Sequence, residues 1–363
     1  MNYNRIWNFN AGPAALPLEV LEKIHKDWFN YPNAGMNVME MSHRGKDYET
    51  IHNGAITSLK KLLNLNDSYH ILFLQGGASL QFAMVPMNFL TEGKTADYIH
   101  TGAWAGKAIK EAKLFGKVNV AYDGKSINYS RVPRQDEVSL TPGAAYVHVT
   151  SNETIGGIEF FDYLKASNAP LICDMSSDIL SHDFDAKPFS MIYAGAQKNL
   201  GPSGVTLVII RDDFLKTAKT TGIPTMLSYQ THIDENSLYN TPPTFGIYTM
   251  SLVLQWIEGQ GGLPGIEKIN RTKADTLYSA IDNSGGFYKG TVEVGSRSIM
   301  NICFTMASEE LEDKFIKEAK GAGFVGLKGH RSVGGIRVSA YNAVPLAAIE
   351  ALTKFMGEFK WKN

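Results

Sequence analysis

The sequence predicts an α/β protein: a large domain built on a mostly parallel sheet flanked by helices, followed by a smaller α+β domain at the C-terminus. Two observations carry this. Between residues 71 and 210, short apolar runs alternate with stretches whose apolar residues recur at helical spacing, as expected of strands joined by helical crossovers. Near Gly259-Gln260-Gly261-Gly262 the texture changes, and about a hundred residues follow that mix helices with isolated strands. A chain of 363 residues with 44% hydrophobic content can support both units. The expected division is an N-terminal arm over 1–16, a large domain over 17–259 and a small domain over 260–363.

The elements follow in order. Residues 1–16 read as irregular, with a turn at Asn10-Ala11-Gly12-Pro13. Pro17 suits the first turn of a helix, and Leu18, Leu21, Ile24 and Trp28 recur at its spacing. Asn30 to Arg44 reads as a loop, and Tyr48, Ile51, Ala55, Leu59 and Leu62 mark the next helix. Ile71-Leu72-Phe73-Leu74 is a strand leading through Gly76-Gly77 into a helix from about Ser79 to Leu90. Asp97 to His100 is a strand, then a helix runs from about Trp104 to Phe115. Further strands are expected at Tyr146–Val149, Leu171–Cys173, Met191–Ala194 and Val205–Ile210. The C-terminal part is read as a helix over about 263–281, a turn at Asn283-Ser284-Gly285-Gly286, a strand over 299–304, a helix over 309–320, a strand over 336–339 and a final helix over 345–359.

Composition narrows the function. Lys plus Arg number 35 against 36 Asp plus Glu, and no basic stretch interleaved with aromatics points to nucleic acid. No apolar run approaches the ~20 residues of a membrane span, and no apolar leader is read at the N-terminus. Two cysteines, Cys173 and Cys303, without a CxxC pair fit a reducing cytoplasm. The histidines show no HxH or HExxH spacing, so no metal site is expected.

The most informative residue is Lys198. The run Met191 to Ala194 delivers it into the turn Gly195-Ala196-Gln197-Lys198-Asn199-Leu200-Gly201-Pro202. A lysine at the end of a buried strand is costly unless its amine has a task, and one such task is a Schiff base with pyridoxal phosphate. Asp174 closes the strand before it, and strand C-termini of an open parallel sheet share one ligand-binding edge. An aspartate there could keep a pyridine nitrogen protonated. Gly76-Gly77-Ala78-Ser79, between a strand and a helix, suits a phosphate. Trp104 could stack on a flat ring, and Thr154 could hydrogen-bond a ring hydroxyl. Each residue also has a bland explanation as a cap, turn or core side chain. Their joint fall at the ends of successive strands describes one cofactor cradle.

On these residues the chain resembles the phosphoserine aminotransferase family, class-V pyridoxal-phosphate enzymes of fold type I. The resemblance runs through Asn8-Phe9-Asn10-Ala11-Gly12-Pro13, Met41-Ser42-His43-Arg44-Gly45-Lys46, Asn152-Glu153-Thr154, Tyr193 to Pro202, Asn240-Thr241-Pro242-Pro243-Thr244-Phe245, and Lys328-Gly329-His330-Arg331 to Arg337. It implies that Lys198 is the Schiff-base lysine and proton carrier. Asp174 would pair with the ring nitrogen, Trp104 would stack, and Thr154 would contact the ring hydroxyl. Ala78, Ser79 and Gln197 would hold the cofactor phosphate, helped by Asn240 and Thr241 from the other subunit of a homodimer. His43, Arg44, His330 and Arg331 would recognise a substrate phosphate, and Arg337 the α-carboxylate.

The implied reaction is a ping-pong transfer from glutamate to 3-phosphohydroxypyruvate, giving 2-oxoglutarate and O-phospho-L-serine for serine biosynthesis. 4-Phosphohydroxy-L-threonine of vitamin B6 synthesis is a further expected substrate. Two positions depart from the family pattern: Ala78-Ser79, where many members carry an arginine, and Ala11, where others carry serine. A cysteine desulfurase would need an exposed reactive cysteine, whereas Cys173 and Cys303 read as core thiols. The GxGxxG match at Gly321 to Gly326 follows a helix instead of a strand, which argues against a nicotinamide site. A noncatalytic binding protein on the same fold is the remaining alternative.

Overall fold

The computed structural model describes residues 3–166 and 169–363. Its centre is a seven-stranded sheet in the order Tyr69–Leu74, Thr206–Arg211, Phe189–Gly195, Leu171–Asp174, Tyr146–Thr150, Thr95–His100 and Lys117–Asp123. Thr206–Arg211 runs antiparallel to both neighbours, and the remaining pairings are parallel. The inner strands Phe189–Gly195 and Tyr146–Thr150 are buried along their whole length, as strands covered by helices on both faces must be. Their apolar runs are what made them legible.

Two apolar cores sandwich this sheet. One lies under the helices Lys46–Leu62 and Thr244–Gly259, the other under Gly77–Phe89 and Ala103–Ala112. A third core gathers Phe9 with Leu277, Ile302, Phe315, Val338 and Phe359, so the N-terminal residues pack with the C-terminal part of the chain. There a three-stranded sheet, Lys289–Gly290, Asn301–Thr305 and Ile336–Ser339, lies against the helices Gly262–Asp282, Glu309–Gly321 and Leu346–Lys362. The arm expected to be irregular contributes a short strand, Trp7–Asn8, parallel to Phe324–Val325.

Two of the longer elements escaped the sequence reading. The helix Thr244–Gly259 buries ten of its sixteen residues, so its apolar residues run all round and no amphipathic period emerges. Lys117–Asp123 pairs on one side only, and its KVNVAYD sequence is mostly half-exposed. The sheet leaves the C-terminal ends of Leu74, His100, Thr150, Asp174 and Gly195 on one edge, because all five strands point the same way.

Candidate active site

Each of these strand ends releases a short loop into a common pocket of about 430 Å³. Its walls include Gly76, Ala78, Ser79, Trp104, Thr154, Asp174, Gln197, Lys198, His330 and Arg337. Nine of the residues singled out from the sequence therefore meet. A neighbouring cavity of about 580 Å³ shares Arg337 and is lined by His100, Tyr129 and Ser332, among others.

Lys198 reaches the pocket floor, where its Nζ donates to Thr154 Oγ1 at 2.6 Å and lies 5.5 Å from the centre of the Trp104 ring. Burial pushes the amine down to about 8, against the opposing pull of Asp174, Asp178 and Glu153, while Arg337 adds to the lowering. A base that works near neutral pH needs such a depression, and desolvation is its main source.

Asp174 is buried at 4% exposure. Its Oδ1 accepts from Ser176 N at 2.9 Å and Ser176 Oγ at 2.5 Å. Burial raises the carboxyl, while the two serine hydrogen bonds and Lys198 favour its ionised form. It thus serves both as turn cap and as a pocket-facing carboxylate.

The phosphate-type corner is built from backbone. Gly76 takes φ +87°, and a Cβ there would come within 2.6 Å of Leu80 Cδ2, so the turn needs glycine. The helix Gly77–Phe89 then opens with unpaired N–H groups at the pocket wall. Ser79 is exposed and brings a hydroxyl without charge.

Trp104 is oriented by a residue that sequence reasoning did not assign. Glu153 is buried, and its carboxylate accepts from Trp104 N at 3.0 Å and Ala105 N at 2.8 Å, capping the helix Ala103–Ala112. Gly102 permits the approach, since a Cβ there would meet Glu153 Cδ at 2.6 Å. Burial pushes Glu153 up to about 7 in spite of those hydrogen bonds. The residue lay inside a quoted motif, but a cap received from another strand's loop has no local sequence signal.

Arg337 donates from Nη1 to the Thr154 carbonyl at 3.4 Å, while its buried Nε has no partner among the described residues. A guanidinium with an unspent donor beside a pocket suits a carboxylate. His330 Nδ1 is engaged by Ser332 Oγ at 2.7 Å, and its ring faces the pocket. Arg331 is exposed.

The structure does not bring five of the named residues, Arg331 and the four that follow, into this pocket's lining. Arg44 is exposed and His43 half-buried on the segment before the helix Lys46–Leu62. Asn240 and Thr241 lie outside as well, although the Thr241 carbonyl accepts from Gln75 Nε2 at 3.5 Å, next to the Gly76 turn. Cys303 is half-buried beside the neighbouring cavity and is not the core thiol expected. Burial still pushes its thiol up to about 12, the opposite of what a reactive cysteine needs. Among the described residues, no group of three or more His, Cys, Asp or Glu gathers to hold a metal, and no helix is long and apolar enough to cross a membrane.

The donor set fits a flat heteroaromatic ring carrying a phosphate and an aldehyde. It offers a half-buried amine, a buried carboxylate, an indole and a helix N-terminus, with an arginine left for an acid. Comparison with known proteins agrees. The family described as aminotransferase class-V matches residues 6–352. The chain is similar to the phosphoserine aminotransferase of Niallia circulans, 58% identical over 98% of both chains, and to that of Geobacillus kaustophilus, 59% identical over 98% of both. Among solved structures it resembles phosphoserine aminotransferase from Bacillus circulans subsp. alkalophilus, with a TM-score of 0.97 and 57% identity over 99% of each chain. The phosphoserine aminotransferase of Trichomonas vaginalis, solved with pyridoxal phosphate bound, gives a TM-score of 0.92 at 40% identity, covering 97% of this chain and all of that one.

Proposed function

The chain belongs to the aminotransferase class-V family, and from the site we propose that it transfers the amino group of glutamate to 3-phosphohydroxypyruvate, yielding 2-oxoglutarate and O-phospho-L-serine. It is a pyridoxal-phosphate-dependent aminotransferase. The observation that carries the assignment is Lys198: a half-buried lysine whose amine is held near pKa 8, hydrogen-bonded to Thr154 and sharing with Asp174 a pocket that ends at Arg337.

The bound cofactor supplies an electron sink for the carbanion formed at the substrate α-carbon. The residues supply everything else. Lys198 holds the cofactor at rest, and once freed its amine takes the α-proton and returns it. Asp174 keeps the ring nitrogen protonated through a carboxylate that Ser176 favours in its ionised form. Trp104, seated by Glu153, covers one ring face. The N–H groups opening the helix Gly77–Phe89, with Ala78, Ser79 and Gln197, take the cofactor phosphate. Arg337 fixes the α-carboxylate, so the α-hydrogen is presented to Lys198. His330 and Arg331 serve the substrate phosphate.

We further read the working unit as a homodimer in the cytoplasm, in which the partner brings its copies of His43, Arg44, Asn240 and Thr241 to this pocket. Support comes from the surface. Phe29 is 87% exposed, and Trp28, Met36 and Met39 are also exposed. Trp28 packs edge-on against Phe245 at 5.8 Å, placing this apolar segment beside the 240–245 loop. 4-Phosphohydroxy-L-threonine carries the same carboxylate and phosphate and is proposed as a second substrate. The test is spectroscopic. The purified protein should absorb in the visible and bleach with glutamate, and 3-phosphohydroxypyruvate should restore the band where hydroxypyruvate does so poorly. A protein that cannot be loaded with pyridoxal phosphate would sink the reading.

A further inference from the structure

One buried cation lies outside the pocket and outside the chemistry above. Lys273, in the helix Gly262–Asp282, is 0% exposed. Among the described residues it pairs with no carboxylate. Its ammonium donates instead to three backbone carbonyls: Ala340 at 2.9 Å, Tyr341 at 2.8 Å and Val344 at 3.0 Å. Burial pushes the amine down to about 7, and the three acceptors favour the charged form against that push. A buried charge is costly without compensation, and here all three donors are committed to a single turn, residues 340–344.

That turn is tied to several walls of the pocket. Tyr341 Oη donates to the Ala11 carbonyl at 2.9 Å and accepts from Asn301 Nδ2 at 3.2 Å. Asn301 Oδ1 in turn accepts from Asn152 Nδ2 at 3.0 Å. Asn342 N donates to Asn199 Oδ1 at 3.0 Å, and Asn199 directly follows Lys198. Asn342 Oδ1 accepts at 2.7 Å from Asn270, which shares a helix with Lys273 and also donates to the Ser181 carbonyl at 2.8 Å. The strand Ile336–Ser339, which carries Arg337, runs straight into the turn. Ala11, Asn152, Lys198 and Arg337 all line the pocket.

We propose that Lys273 is a positioning residue whose ammonium fixes the 340–344 turn and so sets the placement of Arg337, which takes the substrate carboxylate, relative to Lys198, which moves the proton. The proposal rests on the roles given to those two residues above. Its physical content is that three hydrogen bonds from one group hold a turn with little freedom to shift, and that the turn is the node through which the loops meet.

The test uses the cofactor-loaded protein with two substitutions. Lys273→Met keeps nearly the same length and removes the donors; Asn199→Ala removes the Oδ1 that accepts from Asn342 N and leaves Lys273 in place. Folding is checked by circular dichroism and thermal scan. Steady-state kinetics are measured with glutamate and 3-phosphohydroxypyruvate, and glutamate binding is read separately from bleaching of the visible band. The expected result is a rise of fivefold or more in KM for both substrates, because both carry the carboxylate. The kcat should fall less, and pyridoxal phosphate affinity should stay within about twofold. A merely structural role would lower the melting temperature and leave KM unchanged in the folded variants, which would overturn the proposal. If Lys273→Met does not fold, an unchanged KM in Asn199→Ala overturns it alone. Failure of the wild type with 3-phosphohydroxypyruvate would count against the substrate assignment, and the glutamate arm would still decide the role of Lys273.

Discussion

Lys198 allows the sharpest quantitative test. An ordinary lysine, with a pKa of about 10.4, is neutral in only about one molecule per thousand at pH 7.5. Held near 8, the Lys198 amine is neutral in about a quarter of molecules at the same pH. The pocket therefore raises the reactive fraction by roughly 200-fold. The perturbation is pH, and the assay is capture of pyridoxal phosphate by the apoprotein, followed as growth of the visible band in stopped flow between pH 6.5 and 10. The capture rate should climb as the amine loses its proton and level off above a midpoint near 8. Lys198→Ala should show no band. Two neighbours fix the sign. Asp174 raises the amine and Arg337 lowers it, so Asp174→Asn should move the midpoint down and Arg337→Met should move it up. A wild-type rate still rising through pH 9.5, with a midpoint near 10, would refute the reasoning.

Other outcomes follow from the same geometry. Glu153 has a folded-state pKa raised to about 7, so its protonated form favours the folded state, and that stability is lost as pH rises through 7. Glu153→Gln cannot ionise, so the wild-type melting temperature should fall relative to the variant between pH 5 and 8; parallel curves would count against it. Trp104→Ala removes an aromatic face worth about 0.5–1.5 kcal/mol, and a titration should show pyridoxal phosphate affinity down by about two- to tenfold. Arg331→Ala removes a charge-assisted contact worth about 1.5–3 kcal/mol. It should raise KM for 3-phosphohydroxypyruvate by about ten- to a hundredfold and leave that for glutamate unchanged; equal effects on both would remove Arg331 from the phosphate site.

The sheet and its ligand edge were legible because inner strands must be mostly apolar, and the runs at 146–149, 171–173, 191–194 and 205–210 are. Lys198, Asp174, Trp104 and Thr154 were legible because each follows such a run by a few residues. What stayed hidden depends on contacts distant in sequence. Glu153 caps a helix 48 and 49 residues away, and Lys273 clamps a turn 67 to 71 residues on. No local spacing encodes either. The helix Thr244–Gly259 was hidden for the opposite reason, because complete burial erases the periodicity that betrays a surface helix.

The environment of Lys198 also explains why its neighbours are acids and not merely apolar groups. A proton carrier has to accept and release near neutral pH. Desolvation alone would drive the amine toward permanent neutrality, and it would then take the substrate's α-proton poorly. Ionised Asp174, Asp178 and Glu153 in water-like surroundings would hold it cationic, so that it could not act as a base at all. The structure sets the two against each other. The carboxyls pull the amine up, but the same burial that lowers Lys198 also raises Asp174, Asp178 and Glu153 and so weakens their hold. Ser151 Oγ, at 2.5 Å from Asp178, and the Ser176 donors on Asp174 favour the ionised carboxylates against that burial. The amine settles near 8 because opposing effects share one cause, the exclusion of water from the sheet edge. A substitution that admits water there, even one that leaves every charge in place, should therefore move the Lys198 midpoint toward that of an ordinary lysine.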